Sequence, residues 1–321
     1  MENANDIDSS IFLKECIEKR FPEASARLLL NESMSDHSSF RVGGEADLAF
    51  LIASADELVF TIQNARRSGI PYIVIGNGSN ILVSDKGIRG VTIIIGKDFA
   101  GIDKENDTTL IADAGALLSS ISKFAAKNEL TGLEFASGIP GSVGGAIYMN
   151  AGAYDGCMAD VVWKTQGYDP QADEIFTLET PDSHEFGYRK SFYEGNGAIV
   201  LRAWMKLKKG EHTEIKQKMA FFGQKRKESQ PLEFPSAGST FKRPDGYFAG
   251  KLIEEAGMKG HRIGGACVSH KHAGFIVNDK KATAAEIMEL INVVRDCVYK
   301  KCGVMIDTEI KILGFKDTNT D

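Results

Sequence analysis

The sequence predicts an α+β protein, and three observations lead to this fold class. Helical and strand-like hydrophobic patterns alternate irregularly along the 321 residues. No segment repeats itself along the chain. Hydrophobic residues make up 43% of the sequence, which is enough for an ample buried core and for two or three domains.

The first strong helical signal begins at Ser54. Ser54-Ala55-Asp56-Glu57 has the spacing of a capping box, in which the serine and glutamate side chains satisfy backbone N–H groups at a helix start. Leu58, Ile62 and Ala65 then share one helical face, and Gly69 marks the helix end. The pattern predicts a helix that leads directly into a strand.

Short apolar runs predict the strands of the fold. They are Pro71 to Ile75, Val91 to Ile95, Thr109 to Ala112 and Ala198 to Met205. A last strand is predicted from Val304 to Ile312, where alternation places Asp307, Glu309 and Lys311 on the face opposite the apolar side chains.

Three further helices follow from apolar periodicity. One begins at Leu117 and is expected to end near Gly132. A second lies in the charge-rich segment from Lys208 to Gln230, whose charges indicate a solvated face. The last begins at a second capping box, Thr283-Ala284-Ala285-Glu286.

Small residues dominate two segments that predict ligand-binding loops. Between Gly132 and Gly156 the chain is rich in glycine and nearly free of charge, and Ile139 to Gly145 is predicted as a loop around a bulky anionic ligand. A tight structural turn is the alternative. Gly76-Asn77-Gly78-Ser79-Asn80 directly follows a predicted strand, which is a common position for a ligand site.

Two familiar nucleotide motifs are excluded. The G-x-G at Gly76 lacks the third glycine of a dinucleotide fingerprint. No G-x-x-x-x-G-K-[ST] occurs, because Gly96-Lys97 is followed by Asp98. Neither a Rossmann site nor a P-loop is therefore expected.

Composition indicates a soluble, cytoplasmic protein. The net charge of -6 gives no basic footprint for nucleic acid, and no apolar run is long enough for a membrane span. The first residues show no signal-peptide pattern, and five cysteines do not form a disulfide framework. Cys297 and Cys302 are expected to pack in a helix end, and His270 and His272 lack further ligands, so no metal site is predicted.

Several motifs occur in a characteristic order between about Ser35 and Gly314. They are Ser39-Phe40-Arg41-Val42-Gly43-Gly44, Gly76 to Leu82, Gly138 to Ala146, Tyr188-Arg189-Lys190-Ser191, Ala237 to Lys242, Lys251 to Glu254, Gly264 to Ala266, Ser269 to Asn278 and Glu309-Ile310. In this order they resemble the motifs of the MurB family, whose members are UDP-N-acetylenolpyruvoylglucosamine reductases of peptidoglycan synthesis.

The resemblance implies a fold and a division into domains. Family members have a two-subdomain FAD-binding fold, similar to that of vanillyl-alcohol oxidase, followed by an α+β substrate-binding domain. The expected boundaries are 1–97 and 98–208 for the FAD-binding subdomains and 209–312 for the substrate domain, with the tail 313–321 returning to the first subdomain.

The resemblance also implies three catalytic residues. Arg189 would hold the developing enolate and the substrate carboxylate, since a guanidinium fits a planar two-oxygen anion. Ser239 would donate the proton, and Glu309 would pair with the arginine around the intermediate. From the residues alone, the alternatives are a surface arginine, a serine that satisfies its own turn, and an exposed strand face.

Backbone N–H groups of the small-residue loops are expected to contact the pyrophosphate and ribityl groups of FAD. The residues assigned to the cofactor are Arg41, Gly76, Asn77, Gly78, Ser79, Asn80, Gly138, Ile139, Pro140, Gly141, Ser142, Gly144 and Gly145. Lys242, Arg243 and Lys251, with Lys259 also available, are expected to neutralise the diphosphate of the substrate. Many family members have asparagine where this chain has Arg243.

The sequence resembles the shorter subtype of the family, because no tyrosine lies between Trp204 and Gly238. The function implied is NADPH-dependent, FAD-mediated reduction of the enolpyruvyl group of a UDP-sugar by a monomer, with no nucleic-acid or membrane partner. Two alternatives stay open on the residues: a flavin oxidase that acts on alcohols or sugars, and a non-catalytic UDP-sugar-binding protein.

Overall fold

The structure is a computed structural model that describes residues 2–315, with side chains described from Ser9 onward. The α-helices within this range are α1 (Glu2–Arg20), α2 (Ala55–Arg67), α3 (Leu118–Lys127), α4 (Val143–Tyr148), α5 (Phe192–Asn196), α6 (His212–Ser229), α7 (Ala249–Glu255) and α8 (Ala284–Cys302). Short 3-10 turns occupy Pro22–Arg27, Met34–His37, Lys97–Phe99, Glu134–Gly138, Met158–Asp160 and Pro181–His184.

Strands are distributed along the whole described chain. In the N-terminal half they are β1 (Leu28–Ser33), β2 (Glu45–Ile52), β3 (Tyr72–Ile75), β4 (Ile81–Val83), β5 (Ile88–Ile95), β6 (Ile102–Lys104), β7 (Thr109–Asp113), β8 (Leu130–Thr131), β9 (Gly152–Ala153) and β10 (Gly156–Cys157). In the C-terminal half they are β11 (Val162–Asp169), β12 (Glu174–Leu178), β13 (Ile199–Lys206), β14 (Lys208–Lys209), β15 (Arg262–Ile263), β16 (Ala266–Val268), β17 (Ile276–Asn278) and β18 (Lys311–Leu313).

This mixture of helices and sheets confirms the α+β class. The helices within residues 2–315 are each too short or too polar to cross a bilayer.

The chain divides into two compact units. The first contains the residues up to Leu30, Leu48–Asn77 and Gly90–Arg226. The second contains Asn31–Asp47, Gly78–Arg89 and the described residues from Lys227 onward. The three-domain division at 97/98 and 208/209 stays a prediction, and residues 316–321 of the predicted returning tail lie outside the described residues.

Two sheets carry the first unit. One has the order β1-β2-β5-β3, with β3 parallel to β5, and the other has the order β12-β11-β13-β7-β6 with antiparallel neighbours. Fully buried side chains fill its core, among them Phe50, Leu58, Ile93, Tyr168 and Tyr193. Their burial supplies the hydrophobic stabilisation that keeps the loops at the strand ends in place.

Helix α2 begins as the sequence predicts. The Ser54 hydroxyl accepts a hydrogen bond from the Glu57 N–H at 3.2 Å, and Gly69 follows the helix end with φ +66°. The Glu57 carboxylate accepts from the Ala53 N–H at 2.7 Å and pairs with Arg27 at 2.6 Å. Glu57 therefore accepts from the N–H of Ala53, whereas in a reciprocal capping box it would accept from the N–H of the N-cap residue, Ser54.

The second unit has a three-stranded antiparallel sheet, β15-β16-β17, and a parallel pair, β4 with β18. Helix α8 packs against the three-stranded sheet and buries Ile287, Leu290, Ile291, Val294 and Val298. Its predicted capping box is confirmed in both directions between Thr283 and Glu286, at 3.1 and 3.0 Å.

Three predicted boundaries are wrong. The strand expected over residues 304–312 is reduced to β18 and an isolated bridge at Thr308, because neighbouring backbone groups bond to the irregular segment 240–242. Helix α3 ends at Lys127, where Glu129 turns with φ +57° into β8. The loop expected to reach Gly145 ends at Ser142, since α4 begins at Val143.

Candidate cofactor and active-site residues

Two of the predicted ligand loops meet in the first unit. The Asn77 side-chain amide donates a hydrogen bond to the Pro140 carbonyl at 2.7 Å. A Cβ atom added to Gly76 would lie 2.6 Å from the Ser142 hydroxyl oxygen. Glycine at position 76 therefore allows the two loops to approach each other closely.

This pair of loops presents polar groups that lack partners in the part of the chain that the structure describes. The N–H groups of Gly76, Asn77, Gly141, Ser142 and Gly145 find no hydrogen-bond acceptor among residues 2–315. Ser142 is only 2% exposed. Its buried hydroxyl also has no hydrogen-bond partner among the described residues. Buried polar groups are normally hydrogen-bonded, so the Ser142 hydroxyl fits a polar ligand. Most of the N–H groups beside it belong to half-buried or exposed residues, and they are accessible to the same ligand.

Gly144 has a different reason to be glycine. Its N–H donates to the Ala114 carbonyl at 2.8 Å, and an added Cβ would lie 2.9 Å from the Ala114 Cβ. The neighbouring Val143 N–H donates to the Ala116 carbonyl at 2.8 Å. Both N–H groups are thus used inside the protein, and Gly144 provides space for close packing.

The second unit holds the remaining cofactor candidates. Gly78 adopts φ +64°, and a Cβ there would lie 1.8 Å from the His37 carbonyl oxygen. The Gly78 carbonyl accepts from the Ser39 N–H at 3.0 Å. The predicted loop therefore packs against the segment that carries Arg41, whose side chain is exposed.

Ser239 and Glu309 lie on adjacent segments of the second unit. The Glu309 N–H donates to the Thr240 carbonyl at 2.8 Å, and Phe241 pairs with Thr308 in an isolated antiparallel β-bridge. The Asn80 side-chain amide donates to the Glu309 carbonyl at 3.2 Å. Three residues assigned from distant parts of the sequence are therefore neighbours here.

The Ser239 hydroxyl has a local backbone contact. Its Oγ donates to the Phe241 carbonyl at 3.3 Å, which is long for a hydroxyl hydrogen bond. This contact matches the alternative of a serine that satisfies its own turn, and its length indicates a weak bond. Glu309 is half-buried, so the expectation of an exposed strand face is wrong for this side chain.

Arg189 lies at the tip of a tight turn in the first unit. Gly187 and Lys190 exchange backbone hydrogen bonds of 3.0 and 3.3 Å, and Arg189 itself adopts φ +53°. The guanidinium lies 5.3 Å from the centre of the Tyr188 ring. Arg189 is half-buried, whereas its neighbours Tyr188 and Lys190 are exposed.

Arg226 is a candidate that the sequence interpretation missed. A Cβ added to Gly138 would lie 3.3 Å from its Cδ atom, so the side chain covers one of the small-residue loops. Loss of hydration on burial lowers the pKa of Arg226, while nearby Tyr154 opposes this effect. Its spacing from Phe222 on the half-buried face of α6 was the available signal.

Tyr154 links this face of α6 to the glycine-rich segment. Its ring stacks on Phe222 with centroids 4.2 Å apart, and its hydroxyl donates to the Phe222 carbonyl at 2.6 Å. The contact fixes the helix turn from which Arg226 extends.

The basic residues assigned to the diphosphate have varied surroundings. Lys251 pairs with Glu255 at 3.7 Å and Lys259 with Glu254 at 3.0 Å, on the exposed side of α7. The Arg243 guanidinium lies 3.9 Å from the centre of the Phe248 ring and donates to the Tyr247 carbonyl. Lys242 is half-buried, and its N–H donates to the Asp307 carbonyl at 2.8 Å.

The paired histidines of the second unit have packing roles. His272 accepts a hydrogen bond from the Gly274 N–H at 3.1 Å and meets the Phe275 ring edge-on at 4.9 Å. Burial lowers the pKa of His272, which favours its neutral form. His270 lies against Gly260, where an added Cβ would come within 2.2 Å of its ring.

Two family models match separate parts of the chain. A family model described as "UDP-N-acetylenolpyruvoylglucosamine reductase, C-terminal domain" matches residues 230–313, and one described as "FAD binding domain" matches residues 46–171.

Curated relatives are similar along most of the chain. UDP-N-acetylenolpyruvoylglucosamine reductase of Caldanaerobacter subterraneus subsp. tengcongensis is 50% identical over 290 residues, covering 90% of this chain and 95% of the relative. The enzyme of Clostridioides difficile is 50% identical over 285 residues, covering 89% and 93%. The crystal structure of the Thermus caldophilus enzyme matches with a TM-score of 0.75 at 35% identity, covering 89% of this chain and 98% of that one.

Proposed function

The chain belongs to the MurB family of UDP-N-acetylenolpyruvoylglucosamine reductases, and from this premise we propose how its own residues perform the reaction. It is a flavin-dependent oxidoreductase with an FAD-binding α+β fold. It reduces the enolpyruvyl ether of UDP-N-acetylglucosamine enolpyruvate to UDP-N-acetylmuramate, a step of peptidoglycan synthesis.

The small-residue loops hold FAD. In the first unit, the unpartnered N–H groups of Gly76, Asn77, Gly141 and Ser142, with the Ser142 hydroxyl, bind its polar groups. Gly138, Ile139 and Pro140 continue this surface. Gly144 contributes by close packing, and Gly145 offers an N–H at the first turn of α4.

The second unit adds Gly78, Ser79 and Asn80 to the cofactor contacts, with Arg41 as a positive charge. The N–H groups of Gly78 and Ser79 also lack acceptors among residues 2–315. Bound FAD supplies the hydride for the alkene carbon. We propose NADPH as the reductant of the bound flavin.

Three side chains of the protein act on the substrate. Arg189 binds the substrate carboxylate and stabilises the negative charge that develops beside it. Ser239 gives a proton to the carbon that does not receive the hydride, and Glu309 acts with Arg189 around the intermediate. The observation that carries this assignment is the direct pairing of the Ser239 and Glu309 segments through the 2.8 Å bond from Glu309 N–H to Thr240 carbonyl.

Positive side chains bind the diphosphate of the substrate. Lys242, Arg243 and Lys251 provide this charge in the second unit, and Arg226 provides it beside Gly138 in the first. We further propose that the protein is a cytoplasmic monomer of the shorter subtype, which lacks a tyrosine-bearing loop between Trp204 and Gly238.

Replacement of Ser239 by alanine tests the mechanism. Under anaerobic stopped-flow conditions, we expect Ser239→Ala to retain FAD and its reduction by NADPH. Reoxidation of the flavin by the enolpyruvyl substrate should slow by about 10³-fold, because a positioned proton donor is lost.

Ser236→Ala is the matched control, since Ser236 is half-buried three residues away and has no assigned role. Unchanged reoxidation in Ser239→Ala would remove Ser239 from the mechanism. Rapid reoxidation of the wild-type enzyme by oxygen but not by the substrate would instead favour a flavin oxidase.

A further inference from the structure

Asn150 uses both ends of its side-chain amide in the first unit. Its Nδ2 donates to the Gly187 carbonyl at 2.9 Å, and its Oδ1 accepts from the Ala159 N–H at 3.0 Å. The residue is only 8% exposed. These two partners fix the orientation of the amide, because the flipped form would face a carbonyl with an oxygen and an N–H with an amino group.

The backbone of Asn150 adds a further requirement. It adopts φ +45°, a left-handed conformation in which asparagine is better tolerated than most residues. Aspartate would keep the acceptor for Ala159 but lose the donor to Gly187. Glycine would relieve the backbone but lose both hydrogen bonds. Asparagine meets all three demands at once.

The partner carbonyl, Gly187, opens the tight turn that presents Arg189. Ser191 closes the same turn, and its buried hydroxyl donates to the Tyr148 carbonyl at 2.7 Å. The turn is thus tied at both ends to residues 148–150. Tyr148 is the last residue of α4, the helix that begins next to the Ser142 loop, and Asn150 lies two residues beyond it.

We infer that Asn150 is a positioning residue for Arg189. Through Gly187 it holds the turn at a fixed place relative to α4, and so sets the position of the guanidinium with respect to the proposed flavin loop. The inference rests on the proposed role of Arg189. A rigidly held turn matters because a displacement of about 1 Å in a charged group can reduce a rate about 100-fold.

Half-reaction kinetics of Asn150→Asp and Asn150→Gly test the inference. Flavin reduction, by NADPH or by dithionite, should change by less than about threefold, whereas reoxidation by UDP-N-acetylglucosamine enolpyruvate should slow by about 10- to 100-fold. Asn128→Asp is the matched control. It also loses a side-chain donor to a backbone carbonyl, that of Phe124 at 2.8 Å, in a helix end with no assigned role.

A double-mutant cycle with Arg189→Ala separates positioning from general damage. If Asn150 acts through Arg189, the variant Arg189→Ala/Asn150→Gly should reoxidise as slowly as Arg189→Ala alone, within about threefold. The inference would be overturned if the two substitutions slowed reoxidation independently, so that their factors multiply in the double variant. Normal reoxidation in both Asn150 variants would also overturn it. A normal rate in Arg189→Ala would instead refute the proposed function of Arg189.

Ser191→Ala keeps the inference testable if the Asn150 variants lose FAD. It releases the other end of the turn and leaves Asn150 intact, so we expect the same selective slowing of reoxidation. An absorbance spectrum of bound flavin confirms in each variant that the cofactor is retained. Equal slowing of both half-reactions in Ser191→Ala would contradict the inference.

Discussion

Individual residues show how the same amino acid serves different purposes within one motif. Gly76 leaves room for the Ser142 hydroxyl, whereas Gly144 leaves room for Ala114 and has its N–H occupied. Both belong to small-residue runs that the sequence assigns to cofactor binding. Only the structure separates the glycine that faces the Ser142 hydroxyl from the glycine that permits close packing, because the residue type is the same at both positions.

Arg226 gives a prediction at this scale. A guanidinium that is partly desolvated beside Gly138 should bind an anionic ligand more strongly than an exposed one. Arg226→Gln should therefore raise the FAD Kd or the substrate KM by about tenfold, the effect of one charged hydrogen bond. Fluorescence titration with FAD and steady-state kinetics provide the two values.

Lys225→Gln is the control for this prediction. Lys225 precedes Arg226 on α6 but lies over the exposed Phe221 ring, 4.4 Å from its centre. We expect this variant to leave both constants unchanged. Equal values for Arg226→Gln and the wild type would show that the half-buried Arg226 side chain only packs against the loop.

Helices and strands differ in how far the sequence could predict them. The starts of α2 and α8 were predictable because a cap depends on side chains three residues apart. The strand around Glu309 was not, because its hydrogen bonds go to residues 240–242 rather than to a regular neighbour. The contact of Arg226 with Gly138 depends on a distant partner in the same way. Local periodicity shows only that Phe222 and Arg226 share one face of α6, and not which segment that face meets.

The cap of α8 gives a pH-dependent prediction. Backbone N–H groups of Gly265 and Thr283 donate to Glu286 and lower its pKa below the ordinary value of 4.5. A carboxyl group whose pKa is lower in the folded state stabilises the fold above its unfolded pKa and loses this effect as the pH falls. Glu286→Gln should thus be less stable than the wild type near pH 7.

The difference between the two proteins should shrink as the pH falls below about 4.5, where the glutamate becomes protonated. Urea unfolding at several pH values measures it. A difference that is constant between pH 7 and pH 3 would show that the carboxylate charge has no part in the cap.

At the scale of the whole molecule, we expect folding to be coupled to cofactor binding. The first unit keeps the buried Ser142 hydroxyl without a partner among residues 2–315, and most of the N–H groups beside it belong to half-buried or exposed residues. An unsatisfied buried group of this kind destabilises a fold by about 1–3 kcal/mol, unless a ligand supplies the missing partner. A ligand at 100 times its Kd adds about 2.7 kcal/mol of stability.

Removal of FAD should therefore lower the midpoint of thermal unfolding by several degrees.

The effect of Ser142→Ala on stability should depend on whether FAD is bound. In the apoprotein the variant should be as stable as the wild type or more stable, because it removes an unsatisfied hydroxyl. In the holoprotein it should be less stable, because it removes the proposed contact to FAD. Thermal unfolding with and without FAD measures all four values.

Ser122→Ala supplies the contrast, because its buried hydroxyl donates to the Leu118 and Leu133 carbonyls at 2.8 and 2.9 Å. Loss of these bonds should destabilise the apoprotein and the holoprotein equally, by about 1 kcal/mol. If Ser142→Ala loses the same stability in the apoprotein and the holoprotein, as expected for Ser122→Ala, the Ser142 hydroxyl has a partner inside the protein and does not bind the cofactor. A loss confined to the holoprotein ties this hydroxyl to FAD.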